Sequence, residues 1–201
     1  MIIKPNNPYD PNSEWLTAII GCQYRADKQD GHWLDDAIYW WSKRFTKEVK
    51  EPHSHSEILY LKDLPLVFSA DTRRGDGFVG TRFEEARIVL RNPDRWDLYL
   101  KCVKQKEVYA MFERALKIEN KRYAYVNIVL HYFLPLGWLG GFIGKMADIW
   151  YCSQTVYYTI CGKKIRISPI RLTRWYNKNG WRKLTDEQKK AMCKNWAGDD
   201  D

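Results

Sequence analysis

The sequence predicts an α+β fold in which a small antiparallel sheet packs against helices within one domain. Three observations carry this expectation. Segments such as "HSHSEILYL", "LPLVFSAD" and "WDLYLKCV" alternate, or run apolar, over the length of ordinary strands. Separate stretches repeat their apolar residues at helical spacing instead. The chain has 201 residues, 45% hydrophobic and 29% charged, which suits a globular unit with a single sizeable core.

The elements follow in order. Residues 1–14 are turn-rich, with Pro5, Pro8 and Pro11, and read as extended. "LTAIIGCQYR" is a short apolar strand followed by a loop. In "GHWLDDAIYWWSKRF", Leu34, Ile38, Trp41 and Phe45 share a helical face, with acids early and bases late as the helix dipole favours. The polar connector "TKEVKEP" leads into residues 53–61. There Ile58 and Tyr60 take one face of a strand, while His53, His55, Glu57 and Leu59 take the other. "LPLVFSAD" is a second strand, "TRRGDGFVG" a turn, and "FEEARIVLR" and "WDLYLKCV" are further strands separated by "NPDR". A helix is expected over about 103–118, through Val108, Met111, Phe112, Ala115 and Leu116. "KRYAYVNIVLHYFLPLG" is helical or irregular and ends in a glycine-rich stretch. "ADIWYCSQTVYYTIC" contains a helix starting near Cys152, and "KKIRISP" reads as a closing strand. The domain is therefore placed at 1–185, with 186–201 a charged tail or short helix.

Composition narrows the function classes. Ten Trp and thirteen Tyr are too many large amphipathic rings to be wholly buried, and suit a groove for sugar rings, bases or a lipid tail. The net charge is +8, and "CGKKIRISPIRLTRWYNKNGWRKL" is rich in Lys and Arg and free of Asp and Glu. Such a face attracts anionic polymers, yet no zinc-finger spacing or base-stacking strand motif accompanies it. Five cysteines (Cys22, Cys102, Cys152, Cys161 and Cys193) form no CxxC pair, which suits a reducing compartment and a free thiol. The N-terminal stretch has no basic start followed by an apolar run, so no secretory signal is expected and the location is cytoplasmic or virion-associated. "YVNIVLHYFLPLGWLGGFIG" is interrupted by Asn127, His131, Pro135 and several glycines, and reads as core rather than a transmembrane segment.

Two places carry chemistry. Cys152 falls at the start of its helix, where the positive end of the dipole and unpaired N–H groups favour a thiolate nucleophile. A thiol nucleophile needs an imidazole to exchange its proton, and that imidazole needs a polar orienter. His55 supplies the first; Glu57, on its own strand face, or Ser69 or Asp71 from "VFSAD" supplies the second.

Several stretches, in order, resemble the circularly permuted branch of the NlpC-type papain-like cysteine peptidases, the YiiX-like group, in which the histidine strand precedes the nucleophile. They are "IYWWSKRF…HSHSEILYL", "FSADTRRGDGFVGTRF", "RWDLYL", "KRYAYVNIV" and "WYCSQTV", spanning roughly residues 18–170. The resemblance implies a papain-like fold, Cys152 as nucleophile, His55 as base and Glu57 at the family's acidic position after the histidine. Gln154 stands where the family has Glu, and Ala124 where it has Asp, which leaves the substrate class open. The implied enzyme is a cysteine peptidase or amidase acting at an amide, ester or thioester bond, with no cofactor and no metal. Its substrate would be a peptide, a cell-wall polymer or an acyl-lipid. Backbone N–H groups at the helix start would hold the oxyanion, assisted by Gln23 or Tyr24, with Trp150 and Tyr151 flanking the cleft.

Three rival readings remain. His53, His55 and Glu57 on one strand face, completed by Cys152, would make a tetrahedral metal site. Alternatively the fold is a non-catalytic virion or binding protein that grips an anionic polymer through its basic C-terminal part, or a lipid acyltransferase on the same scaffold.

Overall fold

A computed structural model describes residues 16–25, 53–60, 65–71, 79–124 and 148–197. The helix expected in "GHWLDDAIYWWSKRF", most of the "TRRGDGFVG" turn, and the apolar stretch after Ala124 lie outside the described residues.

The strands are β1 (Leu16–Arg25), β2 (His53–Tyr60), β3 (Leu66–Asp71), β4 (Gly80–Glu85), β5 (Trp96–Lys104), β6 (Arg122–Tyr123), β7 (Ile149–Trp150) and β8 (Arg182–Lys183). The helices are α1 (Ala86–Val89), α2 (Gln105–Lys117), α3 (Cys152–Cys161), α4 (Pro169–Lys178) and α5 (Asp186–Ala197). All eight strands join one sheet in the order β7-β6-β4-β3-β2-β1-β5-β8. The α+β class therefore holds, but the sheet is larger than the small antiparallel one expected, and it is mixed, because β6 and β7 pair in parallel.

Alternation along the strands divides the core in two. Ile19, Ile58, Tyr60, Phe68, Ala70 and Tyr99 point to the side covered by α2, α3 and α4, where they meet Met111, Val156, Leu172 and Tyr176. Ile20, Cys22, Leu59, Val67, Trp96 and Leu98 point to the other side, against Ala86, Leu90 and Leu184 beside α1 and α5. A sheet covered on both faces makes its central strands apolar on both, which is why "AIIGC" reads as a run rather than an alternation. Gly21 sits under Tyr176: a Cβ built there would lie 2.4 Å from the phenol ring.

Three elements differ from the sequence reading. "FEEARIVLR" is strand only to Glu85; the Ala86 N–H then bonds the Pro65 carbonyl (2.9 Å) and Leu90 N–H closes a helical turn on Ala86 (2.7 Å). The strand of "LTAIIGCQYR" continues through "QYR", because β5 and β2 pair with it on both sides. "KKIRISP" is no strand. Its backbone groups bond side chains of the α3 start instead of a neighbouring strand, and Ser168 caps α4, its Oγ accepting from Arg171 N–H with Pro169 in the first turn.

Residues 186–197, expected as a charged tail or short helix, form α5, and its Lys189 is buried with its ammonium donating to the Trp96 carbonyl (3.0 Å). Among the described residues, no helix is long and apolar enough to cross a membrane.

Candidate active site

Strand β2 pairs along its length with β1, but its ladder with β3 covers only Ile58–Tyr60. His55 lies in the part of β2 beyond that ladder. α3 packs against β2 and β3 there, and its first residue, Cys152, sets its thiol against the His55 imidazole within hydrogen-bonding reach. Cys152 is 4% exposed and His55 5%. Thus a thiol and an imidazole roughly a hundred positions apart in the chain meet where β2 and β3 no longer pair and the start of α3 reaches His55.

The imidazole is held from its own strand. His55 Nε2 lies 3.1 Å from Glu57 Oε1, and Ser69 Oγ is 3.4 Å from the same nitrogen while donating to the Ser56 carbonyl at 2.8 Å. Asp71 completes the group: one ligand atom each from His55, Glu57 and Asp71 lie within 4.8 Å of one another, and all three residues are buried. Burial disfavours the imidazolium, but the charge and hydrogen bond of Cys152, the bond to Glu57 and the charge of Asp71 outweigh it, pushing the His55 pKa up to about 10. These partners favour the charged ring.

The α3 start is built to receive charge. Tyr151, in extended conformation, is the N-cap and places no side chain over the first turn. The first N–H closed by an intrahelical carbonyl is that of Thr155, onto Tyr151 (2.9 Å). The N–H groups of Cys152, Ser153 and Gln154 precede it, at the positive end of the helix. The two polar side chains after the thiol point away from it. Ser153 Oγ donates to the Ile167 carbonyl (2.6 Å) and Gln154 Nε2 to the Ile165 carbonyl (3.2 Å). A carboxylate at 154 could not donate that bond. Ala124, buried between strands, donates its N–H to the Trp150 carbonyl (2.8 Å).

The other expected site residues fall in different places. The ladder between β1 and β2 shifts between Tyr24 and Arg25, so that Tyr24 faces His55 and Arg25 faces His53, with Ser54 as the extra residue. The bulge turns His53 away from the row. His53 instead bonds Asp97 Oδ2 (3.0 Å) and Thr173 Oγ1 on α4 (3.1 Å). The proposed metal set of His53, His55, Glu57 and Cys152 is therefore not assembled.

Gln23 is buried and accepts from Ser56 Oγ (2.9 Å), a structural bond away from the thiol. Tyr24 lies beside His55 on the neighbouring strand, edge-on to Trp96 at 5.1 Å. Trp150 and Tyr151 are buried rather than lining an open wall. Trp150 donates to Asp148 (3.0 Å) and packs on Tyr158, while Tyr151 Oη accepts from Ile167 N–H (3.0 Å).

Residues not singled out from sequence also bear on the site. Arg82 and Glu84 of β4 line a small recess with Glu57, Val67, Ser69 and Asp71. "TRFEE" carried the signal, since its alternation puts Arg82 and Glu84 on one side, and Ser69 pairs with Arg82. Asp97, fastened to Arg25, His53 and Lys183, was marked only by being an acid inside an apolar strand.

No family model, curated protein or solved structure matches the chain.

Proposed function

We propose that the protein is a cysteine hydrolase of the permuted papain-like kind, with Cys152 as nucleophile, His55 as proton carrier and Glu57 as orienter. The observation that carries this reading is the contact between a helix-start thiol and a buried imidazole that is itself bonded to a carboxylate.

His55 enters the reaction as imidazolium and stabilises the sulfur as thiolate. The thiolate attacks the carbonyl carbon of an amide, ester or thioester, and the developing oxyanion is met by N–H groups of the α3 first turn. The intermediate collapses as the bond to the leaving group breaks, and His55 gives that group its proton. Neutral His55 then takes a proton from water, whose oxygen attacks the thioester. Collapse of this second intermediate frees the acid and restores the thiolate beside imidazolium. Glu57 holds the ring in place and favours its charged form. A peptidase or amidase fits this chemistry; an acyltransferase differs only in the acceptor that replaces water.

The test is a panel of fluorogenic peptide, amide, ester and thioester substrates, with denaturation and intact mass to trap the acyl-enzyme. Turnover with a Cys152-linked acyl adduct is expected, absent in Cys152→Ala and strongly reduced in His55→Ala. Turnover that survives Cys152→Ala sinks the reading.

A second reading has its own observation. Arg171, Arg174 and Lys178 are exposed along one side of α4, and Lys163, Arg166 and Arg182 are exposed nearby, in a segment without acids. This favours a binding protein for an anionic polymer. Salt-dependent affinity for such a polymer, unchanged in Cys152→Ala and accompanied by no turnover, selects it.

A further inference from the structure

Two buried carboxylates, not one, surround His55. Glu57 Oε1 already lies 3.1 Å from Nε2, and Asp71, on the adjacent strand, brings a second carboxylate within 4.8 Å of both. Catalytic proton exchange uses one such partner. A divalent cation that displaces the His55 proton would meet a neutral ring and two buried carboxylates, whose two negative charges it balances.

His55 Nε2 and Glu57 Oε1 are spaced for a small cation that accepts nitrogen, and Asp71, with a ligand atom within 4.8 Å, has to move in to complete the set. A tetrahedral zinc with bonds of about 2.0–2.1 Å sets neighbouring ligand atoms about 3.3 Å apart, close to the separation of Nε2 and Oε1. A nitrogen ligand and only three protein donors fit zinc better than calcium or magnesium, which take six or more oxygens. The small recess lined by Glu57, Ser69, Asp71, Arg82 and Glu84 adjoins the same carboxylates.

We propose that His55, Glu57 and Asp71 form a three-ligand site for one zinc ion, leaving its fourth position for water, and that zinc silences Cys152 by occupying the imidazole. The site itself stands on the geometry of the three residues; its inhibitory consequence rests on the hydrolase reading above. Binding exchanges one proton of His55 for the metal, with that proton released to solvent; the bound ring keeps its other N–H but no longer cycles between imidazolium and imidazole, so it cannot shuttle a proton to a leaving group and back from water. Arg82 lines the same recess and competes with the cation for the carboxylates.

The experiment titrates zinc chloride into full-length metal-free protein by calorimetry, confirmed by competition with a chromophoric chelator. Cys152→Ala is included so that thiol ligation is separated from the proposed set. One equivalent bound by both wild type and Cys152→Ala, weakened at least about tenfold in Asp71→Asn and in Glu57→Gln, supports the site. Magnesium should give no heat. Wild-type protein that takes up no zinc, or uptake indifferent to both carboxylate substitutions, overturns it. So does uptake lost in Cys152→Ala, which would make the thiol the principal ligand. Circular dichroism confirms that each variant is folded, and the wild-type stoichiometry decides the matter if a variant is not.

Iodoacetamide labelling of Cys152 with and without zinc separates the two readings. Labelling slowed by zinc in wild type but not in Asp71→Asn supports the inhibitory role. A site that binds zinc beside an unreactive Cys152 keeps the metal proposal and removes the hydrolase; a reactive Cys152 without zinc uptake does the reverse.

Discussion

Replacing Glu57 by glutamine removes the negative charge 3.1 Å from His55 Nε2 while nearly preserving side-chain shape. Burial works against the imidazolium; Cys152, Glu57 and Asp71 reverse that and bring His55 up to about 10. A hydrogen bond to a charged group contributes about 1.5–3 kcal/mol, equivalent to about 1–2 pKa units. The His55 midpoint should therefore fall by about one to two units in Glu57→Gln. Because the wild-type value lies above the usual one near 6.5, protonated His55 stabilises the fold fully below about 6.5, and this contribution fades as the pH rises through about 10. Glu57→Gln should draw in the upper end of that window, so its alkaline loss of stability starts earlier. The assay is an NMR titration of the His55 ring through the neutral and alkaline range, assigned with His55→Gln, alongside thermal melts over the same range. An unchanged midpoint refutes the reasoning. A larger fall in Asp71→Asn or Ser69→Ala would give the orienting role to a different residue.

Three further outcomes are expected. Iodoacetamide should label Cys152 faster than exposed Cys102 at neutral pH, and His55→Ala should remove about tenfold or more of that rate; equal labelling of Cys152 in both proteins argues against an activated thiol. Gly21→Ala drives a methyl into the Tyr176 ring and should destabilise by about 1–3 kcal/mol in urea unfolding, with Tyr176→Leu relieving part of it; an unaltered midpoint would mean that β1 and α4 are not packed as described. Asp97 is the clearest acid-sensitive group: burial would raise its pKa, but the bonds to His53, Lys183 and Arg25 hold it well below the usual carboxylate range. Its contribution is present above the ordinary carboxylate pKa and is lost as the pH falls through the depressed value, so Asp97→Asn should cost about 3–5 kcal/mol at neutral pH and flatten the loss of stability in acid. A melt profile in acid identical to wild type would contradict that.

How much of this was legible in the sequence depended on the range of the interactions involved. Strands β3 and β5 and helices α2 and α3 are specified by local periodicity, and their positions follow the pattern of apolar residues. His55 and Glu57 were legible as a pair because i, i+2 residues share a strand face. His53 was not, since a one-residue shift in the ladder reverses a side chain, and nothing in "HSHSE" announces it. The "KKIRISP" reading failed for a related reason. Its residues alternate in sequence but not in burial, since Ile167 is buried and Ile165 exposed, and alternation does not reveal whether the backbone will find a strand or side chains to bond. Ser168 and Pro169 held the missed signal, a helix cap followed by a first-turn proline. Strands β6 and β7 are two residues each, too short for any pattern. Asp97 looked like one polar residue in a strand, and only the folded chain brings Arg25, His53 and Lys183 to it.

The stretch 162–168 between α3 and α4 is stitched beneath the reactive turn by Tyr151, Ser153 and Gln154, and one residue after Ile167 it becomes the cap of the cationic helix. The Cys152 turn and the positively charged flank are thus joined by a short strap of chain and side-chain bonds. Any displacement of α4 would therefore be carried through Ser168 and these three bonds to the first turn of α3, where Cys152 sits.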